Sequence, residues 1–376
     1  MATAGKPIIC RAAVLWEKSQ PYSLENVEVA VPKKGEVRIK IVSSGICHSD
    51  VHFQDGMMDN FVFPAVLGHE GAGIIESIGE GVTRCKEGDL VVLAFESYCE
   101  ECDFCKNPNC NMCMKQPRNN LQMDGTSRIT CKGKSLTQMF SISTFSEYTV
   151  VSQFNVAKVN PKANLSSLCL VGCCLPTGYG AAINAGKVTP GSSCAIWGLG
   201  GVGMCVVMGC RDAGASKIIG IDLNPKKYEL AKELGATDFI NPKEVPNVPE
   251  ALAKMTNGGV DFCFVSVGIL SVMNEAFKAS HPHWGKTVII GMGDMGAAVK
   301  AGVLDLLFGR QLMGTFYGSY KAVRDIPQLV DKIVNGNIQV EKLITHRLTL
   351  DKINEGFKML KSGESLRTVI DFNKKE

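Results

Sequence analysis

The sequence predicts an α/β protein of two domains, one mainly β and one built on a doubly wound parallel sheet. The 376-residue chain exceeds the size of most single domains. Up to about residue 170, short β-like runs such as 36–42 and 89–94 are separated by glycine and proline, which favours a largely antiparallel, barrel-like domain. From Ser193 onward, strand patterns alternate with helical patterns, as a parallel sheet requires.

The second half of the chain carries six candidate strands. Helical patterns lie between most of them, at 201–213 and 225–234 for example. Asn224 is expected to cap the second of these helices, Pro225 occupies its first position, and Gly235 follows its end. The alternation then stops, and we expect about the last 55 residues to return to the first domain. The candidate strands are 193–197, 217–221, 237–240, 261–267, 286–291 and 312–317.

Charge and hydropathy exclude several classes of protein. The chain has 40 basic and 37 acidic residues, a balance that predicts neither nucleic acid nor an anionic membrane surface as a partner. No run of about 18 apolar residues predicts a transmembrane helix, and the N-terminus lacks the basic and apolar blocks of a secretory signal. We therefore expect a soluble, cytoplasmic protein.

Sixteen cysteines are unexpected as disulfides in such a protein, because the cytosol keeps thiols reduced. Four of them, Cys99, Cys102, Cys105 and Cys113, have the spacing of a closed tetrahedral zinc site with no position left for a substrate. Cys110 lies inside this loop and is the alternative to Cys113. Four-thiolate zinc also occurs in nucleic-acid modules, but acidic residues around this loop offset the basic ones. We therefore expect the zinc to be structural.

A glycine pattern, G-x-G-x-x-G, is formed by Gly198, Gly200 and Gly203, with Gly201 between them. By itself this pattern is weak evidence. Here it follows an apolar strand and opens an apolar helix, so its backbone amides and the helix N-terminus are expected to bind a pyrophosphate. The alternative is that the glycines only close a tight loop.

Asp222, nineteen residues after Gly203 and at the end of the next candidate strand, completes a dinucleotide-binding pattern. Its carboxylate is expected to accept hydrogen bonds from both ribose hydroxyls and to repel a 2′-phosphate. This predicts NAD rather than NADP as the cofactor. Lys227 is expected to reach the same ribose.

Two further segments, 45–50 and 68–73, place metal-capable residues in otherwise apolar sequence. Taken singly, Cys47 in the first or His69 in the second is more typical of a packed or hydrogen-bonded residue than of a ligand. Spacing alone does not join them to each other or to Cys173, far along the chain.

These motifs resemble those of the medium-chain zinc-dependent alcohol dehydrogenases, in particular the dimeric animal-type branch. The agreement extends in order over nearly the whole chain, which makes it specific for the family and less specific for a substrate class. The matching segments are 45–50, 68–73, the four-cysteine loop, 124–128, 143–148, 177–180, 198–203 and 363–367.

The resemblance implies a catalytic zinc held by Cys47, His69 and Cys173, with the fourth position left for water or alcohol. It implies that Asp50 orients the ring of His69 and that Glu70 lies just outside the ligands. The other implied roles are a proton relay through Ser49 and His52, pyrophosphate contacts from His48 and Arg367, packing against nicotinamide by Thr177 and Val202, and a substrate pocket lined by Ser49, Met58, Phe95 and Phe140.

The resemblance also implies the domain organisation and the reaction. A GroES-like catalytic domain would comprise residues 1–174 and 318–376, and a Rossmann domain that binds NAD would comprise 175–317 and mediate homodimerisation. With NAD and two zinc ions per chain, the enzyme would interconvert primary or secondary alcohols with aldehydes or ketones by hydride transfer. Phe95 and Phe140 are equally typical of core aromatics, but if they line the site the pocket is apolar and suits primary alcohols or medium-length aldehydes.

Three features depart from the family pattern. Cys174 follows Cys173 where relatives usually have glycine, so either cysteine could bind the zinc, although the register favours Cys173. Val265 replaces the usual glutamate at the end of its strand. The segment 114–123 is about three residues shorter than in typical animal relatives, and it rims the substrate channel in the family.

Two alternative functions follow from the same residues. A glutathione-dependent formaldehyde dehydrogenase, the sister branch, needs a basic residue near the channel mouth. Arg118 is close but one residue out of register, and His52 stands where that branch usually has tyrosine. The alternative of another class is a non-catalytic dinucleotide-binding protein, although such relatives generally lack the zinc ligands.

Overall fold

The computed structural model describes residues 5–294 and 296–374, which fall into two compact units. The first unit holds the described residues up to Cys173 and those from Lys321 onward, and the second unit is Cys174–Tyr320. Cys174 and residues 318–320, which we assigned to the first domain, therefore lie in the second unit. The predicted fold class, a mainly β domain with a doubly wound α/β domain, is confirmed.

The first unit begins with eleven strands. Along the first of them, buried residues alternate with exposed Ile9 and Arg11, the period of a strand with one face in the core. The strands are β1 Ile8–Leu15, β2 Ser23–Val29, β3 Glu36–Ile46, β4 Ala65–Val66, β5 Glu70–Ile78, β6 Leu90–Leu93, β7 Ile129–Cys131, β8 Lys134–Ser135, β9 Thr137–Gln138, β10 Tyr148–Ser152 and β11 Val156–Lys158. Six of them form one sheet in the order β8-β7-β2-β1-β4-β9.

Three short helices connect these strands: α1 (His48–Gln54), α2 (Asp103–Lys106) and α3 (Leu165–Leu168). Side chains cap two of them, because Cys102 accepts the backbone N–H of Cys105 at the start of α2 and Asn164 accepts that of Ser166 at the start of α3. Each of these connections is therefore fixed at its N-terminus by its own sequence.

The second unit is a six-stranded parallel sheet in the order β14-β13-β12-β15-β16-β17. The order reverses between β12 and β15, which is the position where doubly wound sheets bind ligands. The strands are β12 Ser193–Trp197, β13 Lys217–Ile221, β14 Asp238–Ile240, β15 Phe262–Val265, β16 Lys286–Ile289 and β17 Gln311–Gly314. The helices are α4 Cys174–Gly180, α5 Gly201–Asp212, α6 Tyr228–Leu234, α7 Val248–Met255, α8 Leu270–Ala279 and α9 Val303–Leu307.

Some predicted bounds in this unit need correction. The helix expected at 225–234 begins as a 3₁₀ turn before α6, although Asn224 caps it as predicted by accepting the N–H of Lys226 at 3.1 Å. The strand expected at 261–267 spans only Phe262–Val265, and the Ser266 hydroxyl lies 2.9 Å and 2.8 Å from the carbonyl oxygens of Trp197 and Gly198 at the end of β12. The strand expected at 312–317 is shorter as well.

The chain then returns to the first unit through α10 (Ala322–Val334), β18 (His346–Leu348), α11 (Ile353–Ser362) and β19 (Thr368–Asp371). The second sheet of this unit has the order β11-β6-β5-β3-β19-β18, and β10 also pairs with β3. Thr368 on β19 pairs with Ile46 on β3, one residue before Cys47. Both ends of the chain therefore build the sheet that carries the candidate site.

No single helix among the described residues is long and apolar enough to cross a membrane. One bent pair, Leu165–Gly172 with Cys174–Gly186, meets that requirement on length and composition alone.

Candidate active site

Four potential metal ligands meet in the first unit. Cys47, His69, Glu70 and Cys173 each offer one ligand atom, these atoms all lie within 4.8 Å of one another, and all four residues are buried. Thiolate sulfur, imidazole nitrogen and carboxylate oxygen are the ligands that zinc takes in proteins. The structure thus brings together the three residues that the resemblance joined and adds Glu70. We call this group the ligand cluster.

The ends of two paired strands supply most of the ligand cluster. Cys47 follows β3 and is the N-cap of α1, and His69 directly precedes β5, which pairs with β3. Cys173 follows a 3₁₀ turn that ends at Gly172. A Cβ on this glycine would collide with the carbonyl oxygen of Leu93, so only glycine lets the turn approach the sheet.

Asp50 ties the two ligand-bearing segments together. Its buried carboxylate accepts hydrogen bonds from the backbone N–H groups of Cys47 at 2.9 Å and Gly68 at 3.1 Å, and lies 3.2 Å from Nδ1 of His69. With Nδ1 donating to Asp50, Nε2 of His69 is the nitrogen with a free lone pair. This Nε2 is buried and has no hydrogen-bond partner among the described residues. A buried nitrogen oriented in this way fits a metal ligand.

Glu70 forms a buried ion pair with Arg367, whose Nη2 donates to Oε2. Burial raises the pKa of Glu70 to about 7, although the Arg367 guanidinium lowers it. Gly45 makes room for the pair, because a Cβ there would collide with Oε2. Arg367, which we expected at the pyrophosphate, is thus held against a carboxylate of the ligand cluster, and its contact with a cofactor stays a prediction.

The four-cysteine loop forms a second cluster. Cys99, Cys102, Cys105 and Cys113 place their ligand atoms within 4.8 Å of one another. Backbone N–H groups donate to three of these sulfurs at 3.4 Å, which stabilises thiolates. Cys110 lies outside the group, so the geometry favours Cys113 as the fourth ligand.

Two cations that the sequence did not reveal hold the backbone of this loop. The buried Lys321 ammonium donates to the carbonyl oxygens of Cys105 and, at 2.8 Å, Asn107. Arg84 donates to the carbonyl oxygen of Cys99 at 3.1 Å. No local motif could have identified Lys321, which lies 216 residues from Cys105 in the sequence.

In the second unit, the glycine loop connects β12 to α5. Gly198 has a φ of 91°, and Gly203 packs so closely on it that a Cβ would collide with the Gly198 oxygen. Gly200 is the N-cap of α5, and a Cβ built there meets no atom within 4 Å. Gly201 is the first residue of the helix. The loop is therefore tight on one side and open beside Gly200, as the approach of a pyrophosphate to backbone amides requires.

Asp222 follows β13 and faces the glycine loop. Its Oδ2 accepts the backbone N–H of Leu199 at 2.8 Å and the ammonium of Lys227 at 2.9 Å, and its Oδ1 accepts the N–H of Asn224 at 2.8 Å. The structure thus brings Asp222 and Lys227 together at the carboxyl end of the sheet, where a ribose is expected.

Thr177 and Val202 lie on two helices in close contact. A Cβ on Gly178, next to Thr177 in α4, would collide with the carbonyl oxygen of Val202 in α5. The glycine therefore lets the two helices approach at this point. The predicted contact of both residues with nicotinamide is untested.

Comparison with known proteins decides the family. Residues 33–161 match the alcohol dehydrogenase GroES-like domain, and residues 201–335 match the zinc-binding dehydrogenase family. The alcohol dehydrogenase class-3 of Drosophila melanogaster is 46% identical over 99% of this chain and 100% of its own length. The chain belongs to the zinc-dependent alcohol dehydrogenase family.

Solved structures agree with this assignment. An alcohol dehydrogenase zinc-binding domain protein from Burkholderia ambifaria superposes with a TM-score of 0.92 at 33% identity, covering 97% of this chain and 99% of that one. Benzyl alcohol dehydrogenase from Acinetobacter calcoaceticus gives 0.90 at 33% identity, with the same coverage. The resemblance to the medium-chain zinc-dependent alcohol dehydrogenases is confirmed. This dehydrogenase is an oxidoreductase of alcohols and aldehydes, not the non-catalytic protein considered above, and its family implies zinc and NAD.

The structure locates two of the departures of this dehydrogenase from the family pattern. Cys174 begins α4, and its sulfur lies 4.0 Å from that of Cys205 in the core of the second unit, away from the group that contains Cys173. The backbone at Cys173 is not helical, with φ −150° and ψ −65°, and α4 begins at the next residue. Val265 ends β15 and is fully buried in the core of the second unit.

Phe95 and Phe140 enclose the ring of His69. Each ring centroid lies 5.7 Å from that of His69 in an edge-to-face arrangement, and the two phenylalanine rings are 5.3 Å apart. Met58 packs on the same core as Phe140. We call Phe95 and Phe140 the aromatic wall, since together they make an apolar surface beside the ligand cluster.

Ser49 and His52 lie three residues apart on α1 and so share one face of that helix. The Ser49 hydroxyl is 3.9 Å from the sulfur of Cys47, and the His52 ring contacts the sulfur of Met57 at 3.2 Å. His48 is exposed at the start of the helix. The structure therefore brings Ser49 next to the ligand cluster and places His52 on the same helix, one turn further on.

Proposed function

We propose that this dehydrogenase oxidises small primary alcohols, and reduces the matching aldehydes, with NAD at a zinc ion held by Cys47, His69 and Cys173. The observation that carries the proposal is the ligand cluster itself, in which Asp50 fixes the tautomer of His69 and leaves Nε2 as a buried ligand atom without a partner. We further propose that a second, structural zinc ion is held by the four-cysteine loop.

A zinc ion held there would act as a Lewis acid toward the oxygen of an alcohol or carbonyl group. Two thiolates and a neutral imidazole balance its charge, so the site of Cys47, His69 and Cys173 is neutral before substrate binds. A neutral, buried site accepts an anionic oxygen at lower cost than the four-thiolate site, which is already doubly negative.

The proton of the alcohol would leave along α1. Ser49 lies next to Cys47, and its hydroxyl both donates and accepts hydrogen bonds. One turn further, His52 stands at a partly exposed position, and its ring can accept a proton at one nitrogen and release one from the other. The two side chains are therefore suited to pass a proton from the buried cluster to solvent.

The cofactor proposal rests on the second unit. The open space beside Gly200 fits a pyrophosphate, and the carboxylate of Asp222 fits a ribose with a free 2′-hydroxyl. The neighbouring Lys227 pairs with Asp222 at 2.9 Å, so the charge of this cation is already balanced before a ribose binds. NAD would supply the hydride acceptor in this arrangement.

The aromatic wall supports the choice of substrate. Phe95 and Phe140 present carbon surface beside the ligand cluster, with each ring centroid 5.7 Å from that of His69. An apolar wall favours an alkyl or aromatic group on the alcohol rather than a charged one.

We also propose that the enzyme acts as a homodimer in the cytosol. The edge strand β17 and the neighbouring α9 expose large apolar side chains, an arrangement that a second copy could cover. They are Val303, Leu304, Leu307, Phe308 and Met313.

All sixteen cysteines are free thiols, which suits a reducing compartment. Sedimentation equilibrium would test the dimer, and a monomer at micromolar concentration would contradict it.

The experiment that tests the proposed function combines metal analysis with kinetics. The purified enzyme should contain two zinc ions per chain and should oxidise a series of primary alcohols with NAD. In Asp222→Gly, kcat/KM with NAD should fall about a hundredfold while that with NADP changes little, because two charge-assisted hydrogen bonds are lost and a repulsion is removed. Equal losses with both cofactors would contradict the ribose assignment, and metal-free active enzyme would contradict the zinc chemistry.

Oxidation of hydroxymethylglutathione is the second candidate function. The observation in its favour is Arg118, whose side chain is 53% exposed on the segment 114–123. However, its guanidinium is already bound in two places to the buried carboxylate of Glu96, at 2.9 and 3.0 Å. Activity with hydroxymethylglutathione but not with simple alcohols would decide for this candidate.

A further inference from the structure

We propose that Asn120 is a positioning residue for the substrate pocket, because its side chain holds Phe140 in the backbone conformation that sets the aromatic wall. This inference rests on the proposed function, in which the aromatic wall of Phe95 and Phe140 contacts the substrate. It names the residue through which the shortened segment 114–123 acts on substrate choice.

The backbone that carries Phe140 is strained. Phe140 has φ 51° and ψ 23°, and Ser141 and Ser143 also have positive φ angles, of 64° and 43°. The left-handed region is disfavoured for residues other than glycine, most of all for bulky ones. Such a segment keeps its conformation only when surrounding contacts hold it.

Asn120 provides the contact at Phe140 itself. Its side-chain Oδ1 accepts the backbone N–H of Phe140 at 2.9 Å, and its own carbonyl oxygen accepts the N–H of Gln138 at 3.0 Å. Asn120 has a φ of 59°, a conformation that asparagine tolerates better than most residues. The residue type therefore suits both its backbone and its side-chain role.

The next two residues bind the same strained segment. The Ser141 hydroxyl donates to the carbonyl oxygen of Leu121 at 2.6 Å, and the buried side chain of Gln122 donates to the carbonyl oxygen of Ser141 at 2.9 Å. Residues 120–122 thus hold both Phe140 and Ser141. We call these three residues the brace.

Gln116 links the brace region to the other half of the aromatic wall. Ser97 lies two positions after Phe95. The buried Oε1 of Gln116 accepts hydrogen bonds from the backbone N–H of Ser97 at 2.8 Å and from its hydroxyl group at 2.5 Å. Its Nε2 lies 3.4 Å from the carbonyl oxygen of Phe140. The segment between the four-cysteine loop and the brace therefore contacts the backbone on both sides of the wall.

The consequence concerns substrate choice. If Phe140 loses the acceptor for its N–H, its backbone can relax from the left-handed region and its ring can move away from His69. A looser wall contacts a two-carbon alcohol less well and leaves more room for a long alkyl chain. The contact between Asn120 and Phe140 would in this way couple the segment 114–123 to the shape of the substrate pocket.

The test replaces Asn120 in two ways. Asn120→Gly keeps the left-handed backbone without strain but removes the side-chain acceptor, whereas Asn120→Asp keeps an acceptor. The ratio of kcat/KM for octanol to that for ethanol should rise about fivefold in Asn120→Gly, the value of one hydrogen bond, and stay near the wild-type ratio in Asn120→Asp. A crystal structure of Asn120→Gly should show Phe140 outside the left-handed region.

The matched control is Asn119→Gly, since the side chain of Asn119 accepts the N–H of Leu121 within its own turn. Its ratio should equal that of the wild type. An unchanged ratio and an unmoved Phe140 in Asn120→Gly would overturn the inference, as would an equal rise in Asn120→Asp.

If Asn120→Gly does not fold, Ser141→Ala removes one bond of the brace and should raise the same ratio; no rise would overturn the inference. If the wild-type enzyme oxidises neither alcohol, the proposed function fails, but the position of Phe140 in the crystal structure of the variant still decides the role of Asn120.

Discussion

The first unit holds two clusters of potential zinc ligands, and the chain assembles them in different ways. The four-cysteine loop collects its ligands within residues 99–113, whereas the ligand cluster draws on residues 47, 69, 70 and 173. The first depends on local turns whose N–H groups point at sulfur. The second exists only after β3 and β5 have paired and the chain has returned to them. A cluster within one loop can stabilise that loop by itself. A cluster built from distant residues forms only when the whole unit has folded.

The clusters also differ in their ligand atoms. With zinc bound as proposed, four thiolates leave a closed, doubly negative site, and two thiolates with one imidazole leave a neutral site with room for substrate. We therefore expect loss of a ligand to affect stability at the loop and activity at the ligand cluster. Four substitutions test this difference.

The largest effect is expected for Cys173→Ser. This variant should lose one of the two zinc ions per chain, and kcat/KM for ethanol should fall at least about a thousandfold, since Lewis-acid stabilisation is worth several kcal/mol. Cys174→Ser is the matched control, because that sulfur faces Cys205 instead. Loss of zinc from the control rather than from Cys173→Ser would exchange the roles of the two residues.

Cys105→Ser should act on stability instead. The melting temperature should fall by about 10 °C or more, because a structural zinc site contributes folding free energy directly. At low temperature, the folded variant should keep kcat/KM within about tenfold of the wild type. Cys110→Ser lies in the same loop but outside the four-ligand group, so its melting temperature should equal that of the wild type. A stable but inactive Cys105→Ser enzyme would contradict a structural role for the loop.

Asp50→Asn should weaken metal binding at the ligand cluster alone. Its amide cannot accept all three hydrogen bonds that the carboxylate accepts, so zinc affinity should fall about 10- to 100-fold, measured by competition with a chromogenic chelator. The zinc of the four-cysteine loop should leave at an unchanged rate. Asp55→Asn, at the exposed end of the same helix, is the control and should bind zinc normally. Equal losses from both sites would mean that Asp50 acts on the fold in general.

The smallest effect is expected for His52→Gln. Turnover should fall about tenfold below neutral pH and recover partly in buffers of high basicity, because glutamine cannot carry a proton to solvent. The pH–rate profile at two buffer concentrations measures this. Met57→Leu, which removes the sulfur next to the ring, should keep the wild-type profile. A profile unchanged in His52→Gln would remove the residue from the relay.

The contrast between the clusters explains what the sequence could predict. The spacing of Cys99, Cys102, Cys105 and Cys113 was sufficient for the local site, and the glycine loop with Asp222 was sufficient for the dinucleotide-binding pattern. The ligand cluster needed resemblance to relatives, since no spacing rule joins Cys47 to Cys173.

The resemblance predicted the contact between Asp50 and His69, but other polar contacts between distant segments were not predicted. Lys321 binds the backbone of the four-cysteine loop from the N-cap of α10, which lies more than 200 residues later in the sequence. The hydrogen bond from Asn120 to Phe140 depends on two irregular segments that no periodicity describes. Strand ends were misplaced as well, as at β15, which ends at Val265 although the apolar pattern continues to residue 267.

Anomalous diffraction recorded above and below the zinc absorption edge tests the central claim most directly. Crystals of the enzyme should show two zinc peaks per chain. One should lie among the four cysteines of the loop, and the other within bonding distance of the sulfurs of Cys47 and Cys173 and of Nε2 of His69. A single peak, or a second peak bound by Cys174 in place of Cys173, would contradict the account.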